Sequence, residues 1–208
     1  MDDLEERVRK TSEYYDIFAE DVSKRTETRD YSRWIDAVCS KIPSGSTILD
    51  IGCGSGQHMR TFASKGYITI GVEPSSKMRS LAVENGLEVF YGTFENLDRL
   101  PLQRVNAIWC AASLLHVPKY LLNEVLSKIW SLLQCGGVIY ITVRMGSGCK
   151  WDHYDGENEN VARFIQLYNE YELIDCLQKS RFQVLCTEIE ESYWGRPSKW
   201  INILAARV

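Results

Sequence analysis

The chain has no C-x-x-C pair among its seven cysteines, no block of basic residues, no internal repeat and no apolar run longer than a strand. Each absence removes a class of function. Without thiols at redox or zinc spacing, the odd set Cys39, Cys53, Cys110, Cys135, Cys149, Cys176 and Cys186 reads as free thiols. Cys149 and His153 stand close in sequence, but nothing nearby completes the three or four ligands zinc needs, so no metal is expected. Lysine plus arginine number 24 against 28 acids, a net charge of −4, which argues against stable nucleic-acid binding. The apolar run at residues 138–143 is far short of the ~18 residues of a membrane span. The start Met1, Asp2, Asp3 is acidic where a signal peptide would be basic and then apolar, so a cytoplasmic protein with no membrane partner is expected. What the chain does have is an ordinary globular composition, 45% hydrophobic and 25% charged over 208 residues, enough for one domain with its own core.

Two amphipathic helical patterns come first. Tyr15, Phe18, Ala19 and Val22 share one face, and Tyr31, Trp34, Ile35 and Val38 repeat the spacing. Residues 47–51 then form a short apolar run entering glycines, which reads as a buried strand before a tight turn. From there strand and helix alternate: strands at 67–72, 87–90, 105–110 and 138–143, a helix at 76–83, and a helix opening near Pro118 that Cys135, Gly136 and Gly137 are expected to close. Residues 144–160 are polar and too long for a plain connector, so they are mobile or functional. Asn169 and Glu172 resemble a capping box, and 182–187 with 200–206 should pair as an antiparallel hairpin. The pattern predicts a doubly wound, Rossmann-like α/β sheet, mostly parallel, with helices on both faces and an antiparallel C-terminal hairpin at its edge.

In such a sheet the ligand crevice lies beyond the carboxyl ends of the strands. The first strand ends in Asp50, Ile51, Gly52, Cys53, Gly54, Ser55, Gly56, Gln57. A dinucleotide fingerprint, G-x-G-x-x-G, would place its third glycine where Gln57 stands. Asp50, aimed into the crevice, would repel a pyrophosphate but suits a cationic cofactor bearing an amino group. Glu73 follows the second strand, where a carboxylate can accept both ribose hydroxyls.

These residues resemble the class I S-adenosylmethionine-dependent methyltransferases, whose glycine motif reads acid-x-Gly-x-Gly-x-Gly with an acid after strand two. VEPSSKM (72–78), WCAASLLHVP (109–118) and LLQCGGVIYITV (132–143) resemble further family segments. WCAASLLHVP, RMGSG (144–148) and KWINILAARV (199–208) are similar to a group of small, single-domain bacterial members. The resemblance implies a seven-stranded sheet with the last strand antiparallel, and S-adenosylmethionine as cofactor. Residues 1–208 are then one methyltransferase domain, with 1–42 a helical lid and 43–208 the cofactor-binding core. Thr93 stands where the family often has Asp.

The resemblance also distributes roles. Asp50, Gly52, Cys53, Gly54, Gly56, Glu73 and Pro74 form the cofactor's main cradle, Thr93 and Phe94 meet the adenine, and Ala111 and Ala112 leave room for the methionine moiety. Arg25, on the lid, pairs with the cofactor's carboxylate or is solvated. Tyr14 and Tyr15 are lid aromatics or core. His116 is either a general base or a helix-entry residue. His58 is expected on a helix surface, and His153 with Trp151, Asp152 and Tyr154 lines a substrate pocket or belongs to a solvated loop. Arg144 and Arg163 read an anionic substrate or lie at the surface. The function expected is methyl transfer to an oxygen or nitrogen of a small metabolite, by a monomer or homodimer. The alternatives are a protein or tRNA acceptor and a non-catalytic cofactor-binding regulator.

Overall fold

The computed structural model describes residues 2–153, 161–192 and 198–208. Tyr154, the rest of the polar stretch to Asn160, and part of the hairpin connector fall outside them. Among the described residues no helix is long and apolar enough to cross a membrane.

The main sheet has seven strands: β1 (Thr47–Ile51), β2 (Ile68–Val72), β3 (Val89–Phe90), β4 (Val105–Ala111), β5 (Leu133–Arg144), β8 (Phe182–Ser192) and β9 (Ser198–Arg207). They run in the order β3-β2-β1-β4-β5-β9-β8. The first five are parallel, and β9 is antiparallel to both β5 and β8. The hairpin therefore forms as expected, but its antiparallel strand lies one position inside the edge. A second sheet pairs β6 (Cys149–His153) with β7 (Ala162–Gln166).

Alternation along the central strands divides the core between the two faces. Ile108 and Cys110 of β4 and Ile139 and Ile141 of β5 join one apolar cluster with Leu126 of α6 (Leu122–Leu132) and Leu173 of α7 (Glu170–Lys179). Their neighbours Ala107, Trp109, Val138 and Tyr140 face the other way, against Phe62 of α4 (Gln57–Ser64) and Trp34, Ile35 and Val38 of α3 (Ser32–Cys39). The rings of Trp109 and Tyr140, opposite each other in register, stack at 4.1 Å. Burying such rings contributes about 1.5–3 kcal/mol each.

The expected lid over 1–42 is thus not one unit. α3 belongs to the core because its apolar face meets the sheet. Only α1 (Asp2–Ile17) and α2 (Ala19–Glu27) remain for a cover. α1 packs on β7 and on α5 (Ser76–Glu84). The Phe164 N–H donates to Thr11 Oγ1 at 3.1 Å. Asp16 Oδ1 accepts from Ser75 Oγ at 2.6 Å and from the Lys77 N–H at 2.9 Å, so the end of α1 caps the start of α5.

Cys135, Gly136 and Gly137 do not close α6, which stops at Leu132. Val105 pairs with Leu133 and Ala107 with Val138, so the intervening residues bulge out of β5, with Gly136 at φ +73°.

Candidate active site

The carboxyl ends of β1, β2, β4 and β5 open into a cavity of about 830 Å³, roofed by α1 and α2. That size suits a small-molecule site.

One wall is the turn after β1. Gly52, Cys53 and Gly54 line it, with Gly52 at φ +75° and Gly54 at φ +57°. A Cβ on Gly52 would overlap the Cβ of Ser113, whereas one on Gly54 would meet nothing within 4 Å. Glycine at 52 is therefore forced by both conformation and contact. Glu73 bridges the turn to the next one: its carboxylate accepts from the Gly54 N–H at 2.9 Å and the Ser75 N–H at 2.8 Å. Burial pushes its pKa up to about 7, against the pull of those two N–H groups and Arg79. Pro74, Thr93 and Phe94 continue the wall, Thr93 opening the 3-10 turn Phe94–Arg99. Ala111 and Ala112 stand at the end of β4, and Arg25 reaches the cavity from α2. Ala112 has φ 55°, a strained conformation for an alanine of about 1–2 kcal/mol, held by its N–H on Thr142 O at 3.1 Å.

Two expected members are not on this wall. Gly56 caps α4 at φ +80° with Leu87 packed against its Cα, a structural place. Asp50 is 2% exposed and does not aim into the cavity. Strand alternation decides this, because Asp50 is in register with Trp109 and shares the parity of Ile48, on the α4 side of the sheet. Burial, then the charge of Glu73, raises its pKa well above the carboxylate range, and its Oδ2 has no partner among the described residues. His58 is likewise not on the helix surface. It is 7% exposed, packed against Tyr31 at 4.6 Å and Trp109 at 5.4 Å, and burial followed by Arg29 lowers its pKa to about 4.

The opposite wall is a chain of side chains. His116 shares its Nδ1 proton with Phe164 O at 2.7 Å, so Nδ1 is the donor and Nε2 is left to accept from Tyr15 Oη at 2.9 Å. Arg163 Nη1 donates to the same Tyr15 oxygen at 2.9 Å and Nη2 to Asp152 Oδ2 at 3.1 Å. Burial first, then the charge of Arg163, lowers the His116 pKa to about 3, and burial raises that of Tyr15. Burial alone would raise Asp152, but Arg163 and Arg144 outweigh it and hold the carboxyl below its usual range. Trp151, Asp152 and His153 are therefore not a solvated loop: they form β6, and Asp152 and His153 line the cavity. Thr11, Asp16 and the Arg163–Tyr15 bond were not legible beforehand. The one local signal was the apolar spacing that placed Tyr15 on the inner face of its helix.

The sequence profile described as a methyltransferase domain matches residues 22–187. The chain belongs to that family. A ubiquinone biosynthesis O-methyltransferase from Haemophilus ducreyi is 34% identical over 108 residues, covering 47% of this chain and 45% of that protein. This methyltransferase chain thus spans less than half the length of the curated relatives it matches. A SAM-dependent methyltransferase from Methanosarcina mazei has the same fold, with TM-score 0.70 at 21% identity over 83% of this chain and 97% of that one. The 1,6-didemethyltoxoflavin-N1-methyltransferase of Burkholderia thailandensis, solved with S-adenosylhomocysteine and 1,6-didemethyltoxoflavin, gives TM-score 0.68 at 17% identity, covering 95% and 90% of the two chains. The cavity fits the cofactor of this class: open space stands over Gly54, and the buried carboxylate of Glu73 lines the wall beside it.

Proposed function

We propose that the chain transfers the methyl group of S-adenosylmethionine to an oxygen or nitrogen of a small-molecule acceptor, as one domain whose first two helices cover the site. The observation that carries this reading is the roofed cavity, with a glycine turn and a carboxylate on one side and a buried proton-bearing chain on the other. A protein or tRNA acceptor would have to pass beneath α1 and α2.

When bound, the cofactor supplies a methyl group on a cationic sulfur that needs no acid to leave. The protein's work is alignment and exclusion of water. Glu73 and Pro74 would hold the ribose, Thr93 and Phe94 the adenine, and Gly52, Cys53, Gly54, Ala111 and Ala112 the methionine moiety, with Arg25 on its carboxylate. Gly56 supports the turn from behind, its N–H donating to Cys53 O at 3.0 Å.

Tyr15 and His116 form the proton path. The proton of a methylated acceptor oxygen, an oxonium, would pass to Tyr15 Oη as Tyr15 gives its own to His116 Nε2, while the Nδ1 proton stays on His116, donated to Phe164 O. A histidine held near pKa 3 is too weak to take a proton from a methylated amine, whose pKa is about 10, but it can take one from an oxonium. Oxygen is therefore the favoured atom. The O-methyltransferase names of the curated relatives point the same way.

The test is to incubate the purified chain with S-adenosylmethionine and a panel of phenols, hydroxy acids and amines, and to seek methylated product by mass spectrometry. An O-methylated product with stoichiometric S-adenosylhomocysteine is expected. Binding of NAD with no response to S-adenosylhomocysteine in calorimetry would sink the reading. Tight S-adenosylhomocysteine binding without turnover of any acceptor would favour a regulator.

A further inference from the structure

Beyond Tyr15 and His116, the cavity wall carries more positive charge than the chain neutralises. Arg144 ends β5 and Arg163 lies in β7, and both line the cavity. Their side chains are only 18% and 26% exposed, so neither is a surface arginine. They share one carboxylate, that of Asp152, itself 17% exposed. Arg163 reaches it at 3.1 Å and spends its other terminal nitrogen on Tyr15, while its buried Nε has no partner among the described residues. Arg144 comes no nearer than 3.6 Å, beyond the ~3.2 Å limit of a good N–H···O bond, and no other side-chain hydrogen bond or ion pair holds its guanidinium among the described residues.

Lys150 also lies 3.4 Å from the second oxygen of Asp152. Three cations thus meet one anion, leaving two positive charges in excess. Nearby, Arg29 lines the same cavity between the rings of Tyr31 at 4.7 Å and Trp200 at 4.4 Å, with no carboxylate in ion-pair reach among the described residues. A guanidinium taken out of water without its hydrogen bonds is unfavourable until an anion supplies them. The planar fork of arginine matches a carboxylate or phosphate.

We propose that the methyl acceptor carries an anionic oxygen group, a carboxylate or a phosphate, held by Arg144 and Arg163 while its nucleophilic atom meets Tyr15. The inference rests on the methyltransferase reading and names its substrate class. Arg163 touches both Asp152 and Tyr15, so one small molecule can span the anion seat and the proton path.

The experiment uses the full chain saturated with S-adenosylhomocysteine, titrated by calorimetry with benzoate, its neutral isostere benzamide, and inorganic phosphate. Benzoate is chosen because Tyr15 and Trp200 put rings on the wall. Benzoate or phosphate should bind and benzamide should not, and the tighter anion tells carboxylate from phosphate. Arg144→Gln should weaken the anion about tenfold or more, the scale of a lost charge-assisted hydrogen bond, and Arg144→Lys should restore part of it. Arg163→Lys adds a second variant that keeps a cation beside Tyr15, and it too should weaken the anion.

Equal binding of benzamide, no anion binding at tens of millimolar, or unchanged anion affinity in Arg144→Gln and Arg163→Lys would overturn the proposal. So would a loss of S-adenosylhomocysteine affinity in Arg144→Gln with the anion unaffected, which would give that arginine to the cofactor. Failure of the unmodified chain to bind S-adenosylhomocysteine at all would instead count against the methyltransferase reading.

Discussion

On the glycine-turn side, the cavity wall is backbone fixed over a short stretch of chain: Gly54 and Glu73, joined by a hydrogen bond, are 19 residues apart. On the opposite side it is side chains drawn from far apart, with 101 residues between Tyr15 and His116 and 148 between Tyr15 and Arg163. The first wall is set by conformations that few residues can adopt. The second is set by a buried network whose members must all arrive together. Substitutions on the first wall should therefore act through the backbone, and those on the second through protonation and rate.

Gly52→Ala should have the largest effect. The left-handed conformation costs about 1–2 kcal/mol and the overlap with Ser113 about 1–3 kcal/mol. Urea unfolding should show that loss, and calorimetry should show no heat with S-adenosylhomocysteine. Normal binding would mean the turn is not the rigid wall described.

Next is the pH response of the second wall. His116 titrates near 6.5 unfolded and is held near 3 folded, so the stability it contributes is present above pH 6.5 and is lost as pH falls toward 3. Between pH 7 and 4 that amounts to something on the order of 3 kcal/mol. His116→Asn should remove most of this slope in urea denaturation, although the variant is less stable at pH 7. His58, also held down, keeps its share.

Glu73 has the opposite sign. Its folded pKa is raised to about 7 from 4.5, so in the cofactor-free protein its stabilising contribution is full below pH 4.5 and is lost as pH rises through 7. Glu73→Gln should flatten that trend while weakening cofactor binding by about 1–3 kcal/mol. An unchanged dissociation constant in a folded variant would break the ribose assignment. The smallest effect is expected from Tyr15→Phe, which keeps the ring and removes the hydroxyl. A fall in kcat of about tenfold with cofactor affinity intact is expected, near the low end for proton-transfer groups.

The same contrast governs what the sequence revealed. β1, the glycine turn and Glu73 were readable because their signals are local: an apolar run, a glycine spacing, an acid at a strand end. β6 and β7 were not, because β6 is stabilised chiefly by β7, and β7 by β6 and α1. Asp50 was aimed wrongly because residue type says nothing of the face that strand parity gives it. His58 looked exposed because its helix is polar, yet the rings of Tyr31 and Trp109 that bury it lie elsewhere in the chain. α3 was grouped with the lid because its apolar period equals that of the helices before it. Packing on the sheet, on Tyr140 among others, separates them.

The cap that Asp16 places on α5 has a kinetic meaning. It ties the roof of the cavity to the turn that carries Glu73, two residues from Ser75. A spent cofactor leaving past that roof would first have to break the clasp, so its exit would be gated. Turnover would then be paced by the opening of one carboxylate clasp, and loosening Asp16 would speed release even as it costs affinity.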